Sequence, residues 1–431
     1  MNDSEVIIIG GGASGLIAAR ELSKNKKKVM LLEGRERLGG RIHTFTPQGF
    51  SGSIEAGAEF IHGDLPITLS LLKEAGIPFY NIEGETYRVK EGRIRKSEEI
   101  VDGFSVLEER VKQLKKDIPF SEFLEEYLKE ENLKETKESA VRFIEGYDAA
   151  DINKASTFAL SEEWGSEGVS SPYRIEGGYQ KIIGFLYNEC IKLGVKIFTS
   201  AIVKEIKLEK KNAEIMTGDG ALLKSNKVLV TIPAGVLNSS PSGKAFIKFF
   251  PEIKDKREAF NSIGYGPVIK VFFEFKDAFW ESDKDTRKVS RPGFIITDTL
   301  FTAWWSQLPK KIPLLTGWFA GPNVDKMDLS NKDIIGQGIS ALCRIFDAEK
   351  IFVQNKIKSA FAANWKEDPF SLGAYSYATV ETAASKRILN EPVENIIFFA
   401  GEALSEDQSM GTVEAAFASG LAAAKKILEA D

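Results

Sequence analysis

The stretch that most constrains the fold is Val6 to Glu33, VIIIGGGASGLIAARELSKNKKKVMLLE. Val6 to Ile9 is a continuous β-branched apolar run, which suits a strand buried on both faces. Gly10, Gly12 and Gly15 follow as G-x-G-x-x-G. Ala13 to Ser23 carries Leu16, Ala19 and Leu22 at helical spacing, and Val29 to Leu32 is a second apolar strand that ends at Glu33. Strand, glycine turn, helix, strand and acid within about thirty residues is the context a dinucleotide-binding fingerprint requires. Gly10 permits the tight turn, Gly12 lets backbone approach a pyrophosphate, and Gly15 lets helix pack on strand. Ala13 and Ser14, in the first helical turn, offer free amides and a positive dipole end to phosphates. Glu33 is placed to accept ribose hydroxyls. These residues alone do not choose between a flavin and a nicotinamide dinucleotide.

At 431 residues the chain is too long for one small core, so two domains or one large interleaved body are expected. A formal charge of -5 gives no basic surface for nucleic acid. Cys190 and Cys343 stand far apart without metal-ligand spacing, and His43 and His62 are the only histidines, so no metal site is expected. The start is polar and leads directly into a strand, without the pattern of a signal peptide. No run of about eighteen apolar residues occurs, and no membrane tail follows the last helical pattern before Asp431. A cytoplasmic protein is the expectation.

Two further loops carry the cofactor argument. Gly34-Arg35-Glu36-Arg37-Leu38-Gly39-Gly40-Arg41 is a glycine pair flanked by arginines, which suits a second contact with a pyrophosphate or, equally, a solvated loop. Glu55-Ala56-Gly57-Ala58-Glu59-Phe60-Ile61-His62-Gly63 has small residues that let backbone lie flat against a planar ligand. The fingerprint, then L-G-G-R, then G-A-x-x-x-H-G, resembles the flavin-containing amine oxidases: monoamine oxidases, polyamine oxidases and histone-demethylase relatives. The resemblance implies FAD, with Arg35, Gly39, Gly40 and Arg41 beside the pyrophosphate. It sets Gly57 and Ala58, with Glu59 and Phe60 after them, near the flavin ring. The implied fold is α/β: a Rossmann-like FAD-binding domain of the GR2 type, interleaved with an α+β substrate domain on an antiparallel sheet. The expected FAD-binding segments are 1–78, 175–262 and 385–431; the substrate segments are 79–174 and 263–384, with a helical insertion at 97–150.

Along the chain, Leu65 to Gly76 reads as a helix with a glycine cap, Tyr80 to Arg95 as a hairpin meander, and Gly165 to Gly178 as loop. Tyr179 to Lys192 fits a helix. Val195 to Thr199, Ile202 to Leu208, Ala213 to Met216 and Val228 to Thr231 read as strands. Among them Val203 matches the family's backbone contact to adenine, although a bare valine in a strand is ordinarily core. In Val268 to Phe275, alternation puts Lys270, Phe272 and Glu274 on one face and Ile269, Val271, Phe273 and Phe275 on the other. A lysine there must snorkel, pair or reach a polar cavity. The resemblance makes Lys270 the lysine held through a water to flavin N5. Further strands are expected at 294–296, 302–305, 314–319 and 356–364, a helix at 334–346, and a loop from Trp365 to Tyr377.

By resemblance Trp365 lies beside the flavin and Tyr375 is one wall of an aromatic cage around the amine nitrogen. Ala374 stands where covalently flavinylated monoamine oxidases have cysteine, so FAD is expected to be non-covalent. Gly401 and Glu402, in F-A-G-E, match positions near the diphosphate and ribityl. Thr412 and Val413 open the last helix at the flavin pyrimidine, where amides favour the reduced, anionic ring. Thr412 also replaces the second cage tyrosine of monoamine oxidases.

The implied reaction is hydride transfer from an amine to flavin N5. The imine then hydrolyses, and oxygen reoxidises the flavin to give hydrogen peroxide. Glu59 and His62 would lie in the substrate pocket with Tyr375 and Thr412. Glu59 either meets a second cationic group of a diamine or polyamine, or sits in a buried hydrogen-bond network. Phe60 occupies the place of the carboxylate-binding arginine of L-amino acid oxidases, which favours primary amines or polyamines, unless Arg88 or Arg174 reaches a carboxylate. Two alternatives stand beside these: a desaturase or porphyrinogen oxidase, and an FAD-holding interaction module. The expected partners are a small amine and oxygen, with no nucleic acid and no membrane.

Overall fold

The computed structural model describes residues 4–97, 103–167, 172–282, 288–406 and 410–430. Two sheets organise it. The first runs, edge to edge, Lys248–Phe250, Val203–Leu208, Ala213–Thr217, Leu222–Val230, Ser4–Ile9, Val29–Leu32 and Lys196–Phe198, with Ile397–Phe399 also paired to Leu222–Val230. Ser4–Ile9 lies between Val29–Leu32 and the long strand, parallel to both. That strand divides its outer edge: its first half pairs antiparallel with Ala213–Thr217, its last three residues parallel with Ile397–Phe399. Apolar layers cover both faces of the first strand, which explains the unbroken apolar runs. Ile8 packs with Leu16, Leu22 and Phe417 on one face, Ile7 and Ile9 with Val228 and Phe399 on the other.

The second sheet runs Ile357–Asn364, Val268–Phe275, Leu314–Ala320, Ala303–Trp305, Pro292–Thr297, Glu85–Lys90 and Arg93–Lys96. It is antiparallel except where Pro292–Thr297 meets Glu85–Lys90 in parallel. Val268–Phe275 is central and wholly buried. Its alternation is as expected: Ile269, Val271, Phe273 and Phe275 join the core beneath the Asn331–Phe346 helix, while Phe272 packs on Phe50 and Ile54. Phe104–Val111, Phe120–Tyr127, Lys134–Gly146 and Thr157–Glu167 form a helical layer around Leu107, Phe120, Phe123, Ile144 and Trp164.

Several expectations are corrected. Phe79–Asn81 leaves the meander and pairs with Tyr173–Ile175, inside a stretch expected to be loop. Residues 98–102 and 168–171 lie outside the described residues. Tyr375–Tyr377 is a strand on Gly264–Gly266, because the small residues on either side leave its backbone free to pair. Lys254–Asn261, Lys350–Lys356 and Thr382–Asn390 are helices that no periodic apolar stripe announced. One remote cap fixes the architecture. Pro66–Ala75 has no side-chain cap of its own, and the Glu414 carboxylate accepts the amides of Ile67 and Thr68 at 2.7 and 2.8 Å. An acid from the last helix thereby satisfies the orphan donors of an early one.

Candidate active site

Both sheets border a cavity of about 2510 Å³. A small-molecule pocket usually holds roughly 300–1,000 Å³, so this one has room for a dinucleotide and a second molecule. Gly10, Gly12, Ala13, Ser14, Glu33, Gly34, Arg35, Gly39, Gly40, Arg41, Val203, Gly401 and Glu402 all line it, as do Gly57, Ala58, Glu59, Phe60, His62, Lys270, Trp365, Tyr375, Thr412 and Val413. Gly15 does not; it is packed beneath, where an added Cβ would sit 2.0 Å from the Gly10 carbonyl.

The dinucleotide end fits FAD on its own geometry. No side chain caps Ala13–Lys24, and the Ser14 hydroxyl, at its first turn, is buried without a partner. A Cβ on Gly12 or Gly401 would meet nothing within 4 Å, so bare backbone faces the cavity at both. Glu33 is buried and anchored through one oxygen to the amide of Gly11 (2.7 Å) and through the other to that of Arg35 (2.8 Å). A carboxylate accepts about four hydrogen bonds, so capacity remains for hydroxyls of a sugar. Arg35 reaches Ser371 Oγ at 2.9 Å and pairs with Asp368. Arg41 donates to the Ala374 carbonyl (2.7 Å) and to Glu402 Oε1 (2.8 Å), while Ser376 Oγ donates to Glu402 Oε2. Both arginines therefore tie the early loop to the 368–376 segment, and their charges are balanced by Asp368 and Glu402. Thr412 Oγ1 caps its own helix through Ala415 N (3.1 Å), leaving the start of Val413–Glu429 at the cavity wall.

Gly57 must be glycine for packing. A Cβ there would lie 1.7 Å from the Arg41 carbonyl and 3.1 Å from the Trp365 ring. Trp365 Nε1 donates to the Ala56 carbonyl at 2.7 Å, so the tryptophan braces the loop.

Lys270 is held entirely by protein groups. Its side chain is 2% exposed, and Nζ donates to Glu55 O (3.0 Å), Gly57 O (2.9 Å) and Glu59 Oε2 (3.0 Å). An ammonium has three donors, and all three are taken. A water bridge would have to displace one of these partners. Glu59 takes the buried-network alternative. Its Oε1 accepts Arg174 Nη2 and Trp305 Nε1, each at 2.9 Å. Burial raises the Glu59 carboxyl pKa, but Lys270 and Arg174 outweigh it and hold the group below the ordinary carboxylate range. Both Glu59 oxygens are thus committed to this buried network. Arg174, bonded also to the carbonyls of Ser306 (3.0 Å) and Leu308 (3.2 Å), is not free for a carboxylate.

Around this charged group the aromatic side chains close a collar. Phe60 meets Trp305 with ring centres 5.4 Å apart, Trp305 meets Trp318 at 6.0 Å, and Trp318 stacks on Tyr375 at 6.3 Å. The Tyr375 hydroxyl donates to the Tyr147 carbonyl; the Tyr147 ring stands edge-on to His62 at 6.1 Å, and His62 returns to Phe60 at 6.1 Å. All six line the cavity. Trp305 and Trp318 lie in two of the aromatic-rich stretches, 302–305 and 314–319, expected from the sequence to be strands flooring the substrate region, although neither was named singly; Tyr147 ends a helix and carried no local signal. Burial pushes the His62 imidazole pKa down to about 4, so it stands neutral at physiological pH.

Beside the loop, burial pushes the Glu55 carboxyl pKa up to about 7, against bonds from Thr44 Oγ1 and Tyr179 N. Its native pKa exceeds its unfolded value, so the native state binds more protons between about pH 4.5 and 7, and stability falls as pH rises through that window. Glu55→Gln is expected to flatten the thermal midpoint between pH 5 and 8; scanning fluorimetry at stepped pH checks this, and an unchanged slope would refute it.

The model of the family described as flavin containing amine oxidoreductase matches residues 13–428. "Lysine-specific histone demethylase 1 homolog 2" of Arabidopsis thaliana is 27% identical over 99% of this chain, which spans 58% of that protein's length. "Lysine-specific histone demethylase 2" of Homo sapiens is 27% identical over 99% of the chain and 53% of its own length. The chain thus spans little more than half of these demethylases. "Polyamine oxidase 4" of Oryza sativa subsp. japonica is 28% identical over 97% of the chain and 87% of its own length. Among solved structures, putrescine oxidase, bound to putrescine, superposes with a TM-score of 0.80 at 18% identity, covering 99% of each chain. This likeness carries the fold. The match over nearly the whole chain, on a cavity built for FAD, places the chain in the flavin-containing amine oxidoreductase family.

Proposed function

We propose that this flavoenzyme oxidises a primary amine or polyamine that lacks a carboxylate, with oxygen as the final acceptor and hydrogen peroxide and an imine as products. The observation that carries this reading is the aromatic collar, which surrounds the cavity beside Lys270 with ring faces and a neutral imidazole. FAD, when bound, accepts the two electrons and hydrogen leaving the amine carbon. The protein's part is to hold the amine and keep its nitrogen neutral. The ring faces exclude water and orient the carbon next to nitrogen. Lys270, Glu59 and Arg174 together carry one net positive charge behind the collar, which disfavours a protonated nitrogen there.

Farther from the triad, nine acidic residues, Asp64, Glu91, Asp117, Glu138, Asp148, Glu162, Glu163, Asp298 and Glu406, border the cavity and outnumber the five basic ones, Arg88, Lys90, Arg142, Lys386 and Arg387. Such a rim draws cations inward, which supports a polyamine over a zwitterionic amino acid. The L-amino acid reading is weakened further by Phe60 and by the commitment of Arg174 to Glu59. Non-covalent FAD is supported by Ala374 and by Cys190 and Cys343, neither of which lines the cavity.

The test is anaerobic bleaching of the bound flavin by putrescine, a longer polyamine, a simple monoamine, a methyl-lysine peptide and an L-amino acid. Putrescine or the longer polyamine is expected to bleach fastest, and the rate is expected to rise from pH 7 to 9, since alkyl amines titrate near about 10.4. Bleaching by the amino acid alone would overturn the substrate class. No bleaching by any compound would favour a module that holds FAD without oxidising amines.

A further inference from the structure

Arg174 does not border the cavity, yet it is 6% exposed, and among the described residues its only carboxylate partner is Glu59, itself 4% exposed. Three charges are buried together: Lys270 and Arg174 on either side of one carboxylate, with Trp305 Nε1 as a neutral third donor. Burial of an ion pair is costly unless geometry and hydrogen bonds repay it, and here two cations share one anion. The Arg174 guanidinium lies 4.9 Å over the Phe60 ring and the Lys270 ammonium 5.3 Å over Trp305, so ring faces supply part of the missing negative potential.

We propose that Arg174 and Glu59 are positioning residues of the flavin site. Arg174 fixes Glu59; Glu59 takes the third hydrogen of Lys270; and the triad acts on the bound flavin through its net charge of +1, with no N–H left for a bridging water. A protein tunes a flavin through charges near its ring, and a buried charge is little screened. Arg174 then matters for electronics although it touches neither cofactor nor substrate. The inference rests on FAD binding and is independent of which amine is oxidised.

The test is the flavin midpoint potential, measured by reductive titration of the holoenzyme with a chemical reductant and an indicator dye, with no amine present. Glu59→Gln keeps the shape and leaves two cations, so the potential is expected to rise. Arg174→Met and Lys270→Met each leave the triad neutral, so both are expected to lower it by similar amounts. Arg174→Lys restores the charge and is expected to return the potential toward wild type, which a purely structural role would not do. If Arg174→Met fails to fold, Glu59→Gln against wild type decides by itself. A potential that moves only in Lys270→Met would overturn the proposal and return the lysine to a bridging water. Because no amine enters the titration, failure here leaves the substrate reading standing.

Discussion

Lys270→Met is expected to damage the protein twice. The ammonium gives its hydrogens to the carbonyls of Glu55 and Gly57 and to Glu59, all at 2.9–3.0 Å. Methionine fills the space but donates nothing. Each buried carbonyl that loses its donor costs about 1–3 kcal/mol, and breaking a buried ion pair by removing one partner costs about 3–5 kcal/mol. Glu59 keeps Arg174 and Trp305, so its charge is not orphaned, the ion-pair term largely drops out, and the two carbonyls leave about 2–6 kcal/mol of lost stability. The thermal midpoint of the holoenzyme should drop accordingly. The rate of amine-driven flavin reduction should fall about tenfold or more, because the triad loses the net positive charge that favours electrons on the ring. Stopped-flow reduction beside scanning fluorimetry separates the two effects. Normal kinetics in both half-reactions, with an unmoved midpoint, would exclude Lys270 from the site.

Gly57→Ala tests the other large term. The new Cβ would sit 1.7 Å from the Arg41 carbonyl, which no rotamer relieves because the contact is made by backbone. The same carbonyl accepts Ala58 N at 3.3 Å, so parting the strands also loosens the loop that would underlie the ring. Overpacking usually costs about 1–3 kcal/mol, and a backbone clash this close exceeds that range. The expected result is a protein purified with little flavin, read from the ratio of absorbance near 450 and 280 nm, and a midpoint that added FAD raises only weakly. Wild-type flavin content in this variant would show that the two loops tolerate separation.

The cofactor grip was legible because its residues act through local rules. A glycine turn, a buried strand and a terminal acid are set by spacing, so Gly12, Glu33 and the uncapped Ala13–Lys24 helix stand where the pattern put them. Lys270 was legible as an anomaly, a charge in a strand buried along its whole length. Its partner was not. Glu59 and Arg174 lie 115 residues apart, and no local rule pairs an acid in one loop with an arginine in a short edge strand. Trp318 belongs to the same class: it faces the collar because Leu314–Ala320 pairs with Val268–Phe275 at Trp318 opposite Lys270. A register of that kind is set by tertiary pairing. The helix Thr382–Asn390 was missed for a different reason, since its buried face is Thr382, Ser385 and Leu389, which reads as polar.

The first strand also carries a history of synthesis. Ser4–Ile9 is paired on one side with Val29–Leu32, but on the other with Leu222–Val230, which in turn needs Ile397–Phe399. At roughly 5–20 residues per second on the ribosome, the fingerprint leaves the tunnel about ten seconds or more before its neighbour strand exists. The glycine turn therefore emerges long before the wall that completes it. FAD can reward only the finished chain, because a ligand stabilises the state that binds it. Cofactor capture thus waits until Ile397–Phe399 has emerged and paired with Leu222–Val230.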